Sequence, residues 1–488
     1  MAGQAEMIVM QPMAMQLVSE NLTRIATSNL TLDMLQREIV NLTNDVNDMF
    51  LVICAIITSF MQVGFASLEA GCINSKNVTN IILKNVLDTF ICAIFYWLVG
   101  YSLAYTDGNP FFGYSGWAGA SVSSYSFWVF EFVFASTAST ILSGAVAERC
   151  SFVTYMAYSS IISGFVYPVA SHWAWGEGGW LKTLNFLDFA GCGVVHSLGG
   201  VCAFIAAVFL GPRIGRFKDG KVVDKPGHSM SMVGLGGLLL ISGFMGFNAG
   251  ALGHINGRGK ALGKIVQNTV LGGSGAAVTV LVLCRLGLVG EKKWAFAITL
   301  NGVIAGIVAV CGAVDQYSPF MALVVGAGGC LAFLLVRHIV LKLQVDDPLD
   351  AVGVHFGGGF FGLIAGPMFI PNGVIFGLND ASLKQLVVNL AGGGAIVLWS
   401  ACCSVVLFGS LWISGQLRVS EEQEIRGLDA TKHNEPAYPI EGWAIDYPIQ
   451  ISQNSLHKSG SYTLNRSSEN EYVVIGPQLA QLNRLDHI

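Results

Sequence analysis

Residues 187–200 read LDFAGCGVVHSLGG, and residues 345–359 read VDDPLDAVGVHFGGG. Each stretch sets an aspartate eight residues ahead of a histidine, with paired glycines just beyond: Asp188, His196 and Gly199-Gly200, then Asp347, His355 and Gly358-Gly359. Both histidines lie inside long apolar runs. An ionisable side chain is costly in hydrocarbon, so one that is kept there points to function. The repetition predicts two related halves whose working groups sit where the halves meet.

The composition names the solvent. Of 488 residues, 12% are charged and 53% hydrophobic, with 59 glycines and a mean hydropathy of +0.59. Soluble domains carry about 25% charge, so this is an all-α, polytopic membrane protein. A net charge of −5 supplies no basic field for nucleic acid. The eleven cysteines, Cys54, Cys192, Cys402 and Cys403 among them, lie in or beside apolar runs without a CxxC pair. They read as buried thiols, and neither cofactor nor metal is expected. No cationic stretch precedes an apolar one at the start of the chain, so the first span is expected to serve as insertion signal.

Apolar windows of about 20 residues, the length that crosses the hydrocarbon layer, fall at 49–72, 86–106, 126–147, 152–173, 189–211, 229–250, 265–286, 294–313, 319–340, 351–370 and 388–416. These predict eleven helices. Loop charge sets their direction. With the N-terminus outside, the inner loops hold Lys76, Lys84, Arg149, Arg213, Arg216, Lys218, Lys221, Lys225, Arg285, Lys292, Lys293, Arg337 and Lys342. The outer loops hold only Lys182, Arg258, Lys260, Lys264 and Lys384. Thirteen against five predicts the N-terminus outside and the C-terminus inside. The sequons at Asn21, Asn29 and Asn41 agree, because glycosylation requires a lumenal segment.

Helices one to five and six to ten then form an inverted repeat, with the eleventh left over. Each histidine falls in the fifth helix of its half. Eight residues at 1.5 Å rise place it about 12 Å below its own membrane face. The two imidazoles should approach the midplane from opposite sides.

Three segments follow: an extracellular stretch 1–47, a membrane domain 48–416 and a cytoplasmic tail 417–488. From the first into the start of the second, Leu32, Leu35, Ile39, Leu42, Val46 and Met49 form a short heptad seam. It either extends helix one and pairs with copies of itself or packs on its own subunit. Residues 418–443 mix charge, aromatics and turn residues and are suited to dock on the inner loops. Beyond about 450 the Ser- and Asn-rich composition predicts disorder.

An imidazole donates at one nitrogen and accepts at the other, so an adjacent pair passes or shares a proton. A satisfied core histidine is the alternative for either ring alone. His172, His254 and His338 fall near helix ends, where solvation accounts for them. A metal would need further ligands beside the pair, and Asp188 and Asp347 lie too far along their helices to supply them. Phe130, Phe134, Trp175, Phe244 and Phe247 gather toward the outer face. Aromatic faces attract cations by about 0.5–2 kcal/mol, although an interfacial belt would use the same residues, Trp173 included. Asp188 reads as a helix cap, or as a negative charge that favours a cation nearby.

With FASTASTILSGAVAER (134–149), YPVASHWAWGEGGWL (167–181), GFNAG (246–250) and RVSEEQEIRGLDATKH (418–433), these stretches make the chain resemble the ammonium transporter family (Amt/Mep/Rh), on its Amt branch. The resemblance runs from about Asp48 to Trp443. It implies a plasma-membrane homotrimer in contact with lipid, with one pore per subunit and ammonium or ammonia as substrate, and not an enzyme. His196 and His355 match the family's pore histidines. Phe134 and Phe247 match its phenyl gate, Phe130 and Trp175 its outer recruitment site, and Asp188 its structural and electrostatic acid. The tail match implies docking on the inner loops, with Thr431 at a position phosphorylated in some relatives. One departure is Ala251, where several bacterial relatives carry a serine that binds the outer ion. Two other functions remain open at this stage: an ammonium sensor signalling through its tail, and a membrane enzyme using the histidines with a metal.

Overall fold

A computed structural model of the chain describes residues 32–439, Ser19, and residues 463–466 and 472–475. Asn21 and Asn29 lie outside the described residues. The chain forms two units, Met1–Ala437 and Tyr438–Ile488.

The first unit is helical: α1 Leu32–Cys72, α2 Ser75–Tyr105, α3 Tyr125–Val146, α4 Phe152–Ala174 and α5 Cys192–Leu210, then α6 Met230–Gly250, α7 Gly259–Leu286, α8 Phe296–Val310, α9 Pro319–Lys342, α10 Val352–Phe369 and α11 Asp380–Ile413. Among the described residues, ten of these are long and apolar enough to cross a membrane. The eighth, α8, lies where a span was expected but has 15 residues. That is a turn and a half short of the usual crossing length of about 20. Serine and asparagine start the helices: Ser124, Ser151, Ser229 and Ser318 each accept a bond from the third amide onward, and Asn379 forms a capping box with Ser382.

Burial sorts the helices into centre and rim. The apolar windows of α3 and α5 are 89% and 78% buried, that of α11 only 28%. Exposed Val86, Phe90, Val278, Leu398 and Val406 leave the outer faces greasy, as lipid contact requires. Small residues allow the close crossings. A Cβ added to Gly236 of α6 would stand 2.3 Å from the Leu68 amide of α1, and one on Gly326 of α9 would stand 1.9 Å from the Gly272 carbonyl of α7.

The helix α1 is 41 residues long, about 60 Å at 1.5 Å per residue, roughly twice the hydrocarbon thickness. Its first turns carry Ile39, Leu42 and Met49 at 56%, 64% and 57% exposure. Among the described residues, no helix covers these three side chains. Asn41 is exposed on the same segment.

At the Arg213 end of the bundle, loops and tail are locked by charge. Buried Asp346 takes bonds from Arg213 at Nε (2.7 Å) and Nη2 (3.1 Å), and the Arg216 guanidinium lies 3.2 Å away. Arg213 also pairs with Glu148. The tail settles beside this cluster. Arg418 donates to the Leu210 carbonyl (2.7 Å) and pairs with Glu424 (2.7 Å), whose other oxygen receives the Ile214 amide. A short helix, α12 Glu421–Arg426, leads to Asp429, whose carboxylate receives the Thr79 and Asn80 amides at 3.1 and 2.8 Å. Thr431 donates its hydroxyl to the Gly427 carbonyl at 2.7 Å.

In the second unit, strands Thr463–Arg466 and Tyr472–Ile475 pair antiparallel, with Thr463 opposite Ile475. They stand within the stretch whose composition suggested no regular structure.

Burial alone would push the Asp346 carboxyl up, but the Arg213 bonds and the charges of Arg149 and Arg213 hold it below the ordinary aspartate range. Its folded-state value is thus depressed, so its stabilisation is present at neutral pH and is lost as the pH falls below about 4. Asp346→Ala takes the carboxylate from Arg216 and leaves Arg213 with Glu148 alone; removing one partner of a buried ion pair typically costs about 3–5 kcal/mol. The expected outcome is a clear fall in the melting temperature of the detergent-purified protein at pH 7. The difference from wild type should shrink in acid, and equal melting curves at pH 7 would show that the cluster contributes nothing.

Candidate functional site

The two histidines meet. His196 Nδ1 and His355 Nδ1 are 3.2 Å apart, and the rings are near parallel at 20° with centroids 5.2 Å apart. One nitrogen must carry the hydrogen and the other the lone pair, so the pair holds one shared proton position. Both rings are buried, and His196 Nε2 has no hydrogen-bond partner among the described residues.

The local backbone explains the meeting. Each histidine sits in a π-helical entry to its helix, Cys192–Ser197 in α5 and Val352–Gly357 in α10. A π turn accommodates one extra residue and re-aims the side chains that follow. An aspartate holds each entry. Asp188 receives the amides of Gly191 (3.1 Å), Gly193 (2.8 Å) and Val194 (3.0 Å), and Asp347 receives that of Val352 at 2.7 Å. The capping reading of Asp188 thus describes its carboxylate, and its main-chain oxygen accepts the Trp175 indole N–H at 2.8 Å.

The paired glycines interlock reciprocally. A Cβ on Gly200 would lie 2.4 Å from the Phe356 amide, beside His355, and one on Gly359 would lie 2.5 Å from the Cys192 carbonyl. Their neighbours face the third helix of their own half: Gly199 meets the Ala138 carbonyl of α3, and Gly358 meets the Ala305 carbonyl of α8.

On one side of the pair stands a series of aromatic rings. Phe134 and Phe247 stack face to face, 3.9 Å apart at 6°. Phe247 and Phe244 each lie 5.6 Å from His196. Trp175 meets Phe134 edge-on at 6.0 Å, and Phe130 leans on Phe134 at 4.8 Å. Trp175 is partly exposed, whereas Phe130 is buried against Gly250. Ala251 follows directly after α6. On the other side, His355 borders Phe65, and a small cavity opens against Leu68, Glu69, Ile304 and Asn301.

The family then follows from comparison. The family model described as "Ammonium Transporter Family" matches residues 49–438. The chain belongs to the ammonium transporter family. It is 38% identical over 484 residues to "Putative ammonium transporter 1" of Caenorhabditis elegans, covering 92% of this chain and 90% of that one. It is 35% identical over 437 residues to "Ammonium transporter 1 member 3" of Solanum lycopersicum, covering 82% and 94%. Among solved structures, "Sensor Amt Protein" superposes with a TM-score of 0.76 at 32% identity, covering 80% of this chain and 99% of that one. Candida albicans Mep2 superposes at 0.69 with 25% identity, covering 78% and 87%. This family member is therefore a multi-pass membrane protein of a transporter family, not an enzyme.

Several expectations need correction or addition. His172 is not solvated at a helix end: it is fully buried, with its ring nitrogens 2.9 Å from the Ala104 and Asn109 carbonyls. Trp173 is buried as well and donates to the Phe111 carbonyl, so it is not part of an exposed belt. A polar seam that no motif announces runs between α1, α2, α3 and α4. Asp88 receives Thr140 (2.5 Å), Ser139 (2.9 Å) and Ser159, while Gln62 bonds Ser136 and Thr140. Glu69 receives Asn85 (2.8 Å) and Ser143 (2.7 Å). The signal was available, since Glu69, Lys84 and Asp88 are ionisable residues within helical spans.

Gly359→Ala should leave a folded, membrane-inserted protein with the histidines pushed apart, because backbone rather than a flexible side chain opposes the new Cβ. The expected outcome is at least a tenfold loss of ammonium uptake in a yeast strain lacking its own ammonium transporters, at unchanged surface abundance. Uptake equal to wild type would mean that the crossing tolerates the methyl group.

Proposed function

We propose that the protein carries ammonium across the plasma membrane, its membrane domain spanning residues 48–416 and its tail facing the cytosol. The observation that supports this most is the histidine pair, held 3.2 Å apart on the inner side of stacked Phe134 and Phe247. Ammonium is attracted to the π faces of Trp175 and Phe130, with Asp188 adding negative potential and anchoring Trp175 through its own backbone oxygen. An intact cation at mid-membrane costs at least about 2.5–3.5 kcal/mol. Two phenyl rings in contact offer no dipole to offset that cost. Loss of the proton lets ammonia pass as a neutral molecule. His196 Nε2, without a hydrogen-bond partner among the described residues and next to Phe247, is available to meet it. The proton returns along the pair or stays outside. Potassium has no proton to release and is therefore rejected.

The family's trimer suits an exposed seam on α1: Ile39, Leu42, Val46 and Met49 pair with copies of themselves above the membrane. Asn41, with Asn21 and Asn29, would carry glycans on that side. The segment 417–433 docks at the cytosolic ends, and phosphate on Thr431 would break its bond to Gly427. A sensing role has some support from that docked tail and from the likeness to the structure named Sensor Amt Protein. Transport is the better-supported reading, because sensing does not require a mid-membrane pair of imidazoles.

The test is ammonium-evoked current and labelled methylammonium uptake in oocytes. His196→Ala with His355→Ala should abolish ammonium selectivity over potassium or the flux itself; unchanged flux and selectivity would make the pair ordinary core. Trp175→Leu should raise half-saturation about tenfold, the value of roughly 1.4 kcal/mol of lost cation–π contact, and move maximal flux less. The reverse pattern would remove Trp175 from the recruitment role.

A further inference from the structure

The inner side of the histidine pair holds a carboxylate that the reading above leaves without a role. Glu69 lies on α1, fully buried, and lines the same cavity as His355. Its two oxygens are treated differently. Oε2 accepts the Asn85 amide at 2.8 Å and the Ser143 hydroxyl at 2.7 Å, which fixes the carboxylate plane. Oε1 has no hydrogen-bond partner among the described residues. Leaving a buried carboxylate oxygen unpaired costs about 1–3 kcal/mol or more, so an acid kept in this state is poised for a donor that comes and goes.

The cavity has the right size for one. Its volume of 20 Å³ exceeds the roughly 10–15 Å³ that a single water needs, and ammonium is close to water in size. The remaining lining is apolar except for Asn301 and His355: Phe65, Leu68, Ile141 and Ile304 among others. The charged groups around Glu69 are few. Lys84 is buried and gives its hydrogen bond to the Cys150 carbonyl at 2.9 Å, not to Glu69. Asp88 is occupied by Ser139, Thr140 and Ser159. The Tyr155 ring lies over Lys84. Among the described residues, no cationic hydrogen-bond donor is directed at Oε1.

We propose that Glu69 is an inner ammonium site, in which Oε1 accepts an N–H from an ammonium ion held in the cavity between His355 and the cytosolic end of the pore. The proposal rests on the transport reading above and extends it. Ammonia passing His355 and ammonium entering from the cytosol meet at this position. The site makes the conduit chemically two-ended: cation–aromatic at the outer mouth, cation–carboxylate at the inner.

The test uses the full-length protein in proteoliposomes sorted so that the tail faces the bath, so that added ammonium meets the Glu69 end first. Initial rates come from an internal pH dye. Glu69→Gln keeps the shape and a bond to its neighbours but removes the charge. Its half-saturation from the tail side should rise about tenfold or more, as expected for loss of one charge-assisted hydrogen bond, and its half-saturation from the opposite side should stay near wild type. Glu69→Asp, which keeps the charge, should recover part of the tail-side affinity. Equal rises from both sides, or none, would overturn the site. If wild type itself passed no ammonium, the transport reading would fall with it; if wild type works and Glu69→Gln matches it, only the inner site falls. A measurement on the unmodified chain guards against a variant that fails to insert. Crystals soaked in thallous ion, an ammonium-sized cation with an anomalous signal, should show a peak against Oε1, and an empty cavity would count against the proposal.

Discussion

The architecture hangs on one crossing. Where α5 and α10 pass each other, Gly200 faces the backbone beside His355 and Gly359 faces the backbone at Cys192, each too close for a methyl group. This mutual approach of main chain to main chain sets the separation of the helix entries, and the entries carry the imidazoles. Separate the helices by the width of an alanine and the shared proton position is lost. Everything on either side of the pair, from the phenyl stack to the carboxylate cavity, is registered to that contact.

The surroundings are arranged so that the crossing bears no uncompensated polarity. The π-helical entries would leave amides unpaired inside hydrocarbon. Asp188 and Asp347 receive several of them. The same two aspartates open the two repeated phrases in the sequence, so the repeat encodes caps and glycines as well as histidines. Farther out, α3 contributes side chains to every layer: Phe130 and Phe134 to the aromatic series, Ser136, Ser139 and Thr140 to the polar seam, and Ser143 to Glu69. Its burial on nearly all sides follows from that position.

What could be read from the chain was what depends on period and solvent. The apolar windows and the convergence of His196 with His355 follow from counting residues and rise per residue. Resemblance added Phe134 and Phe247 as partners, and their rings stack. Three things escaped because they depend on atoms far apart in sequence. The π geometry of the entries comes from the Asp188 and Asp347 bonds together with the glycine crossing, none of which shows as a period. His172 looked solvated because it falls late in a helix, yet the carbonyls of Ala104, in the last turn of α2, and of Asn109, in the loop beyond, close over it. Glu69 stands out in the sequence only as an acid within an apolar window; its partners and the cavity beside His355 come from residues far away in the chain. The short α8 shows the limit of hydropathy: residues 294–313 are apolar enough, but the helix begins at Phe296 and ends at Val310.

The tail contact has a consequence for biogenesis. The α-helical part of α2 begins at Val78, and Asn77, its formal cap, turns its amide oxygen to Leu428 instead of to its own helix. The first free amides of that helix are received by Asp429, some 350 residues later in the chain. Synthesis runs from the N-terminus, so these two amides gain their acceptor only once residue 429 has been made. A chain that stops short of residue 428 lacks every one of these contacts, and the start of the second span is left to water or to its own loop.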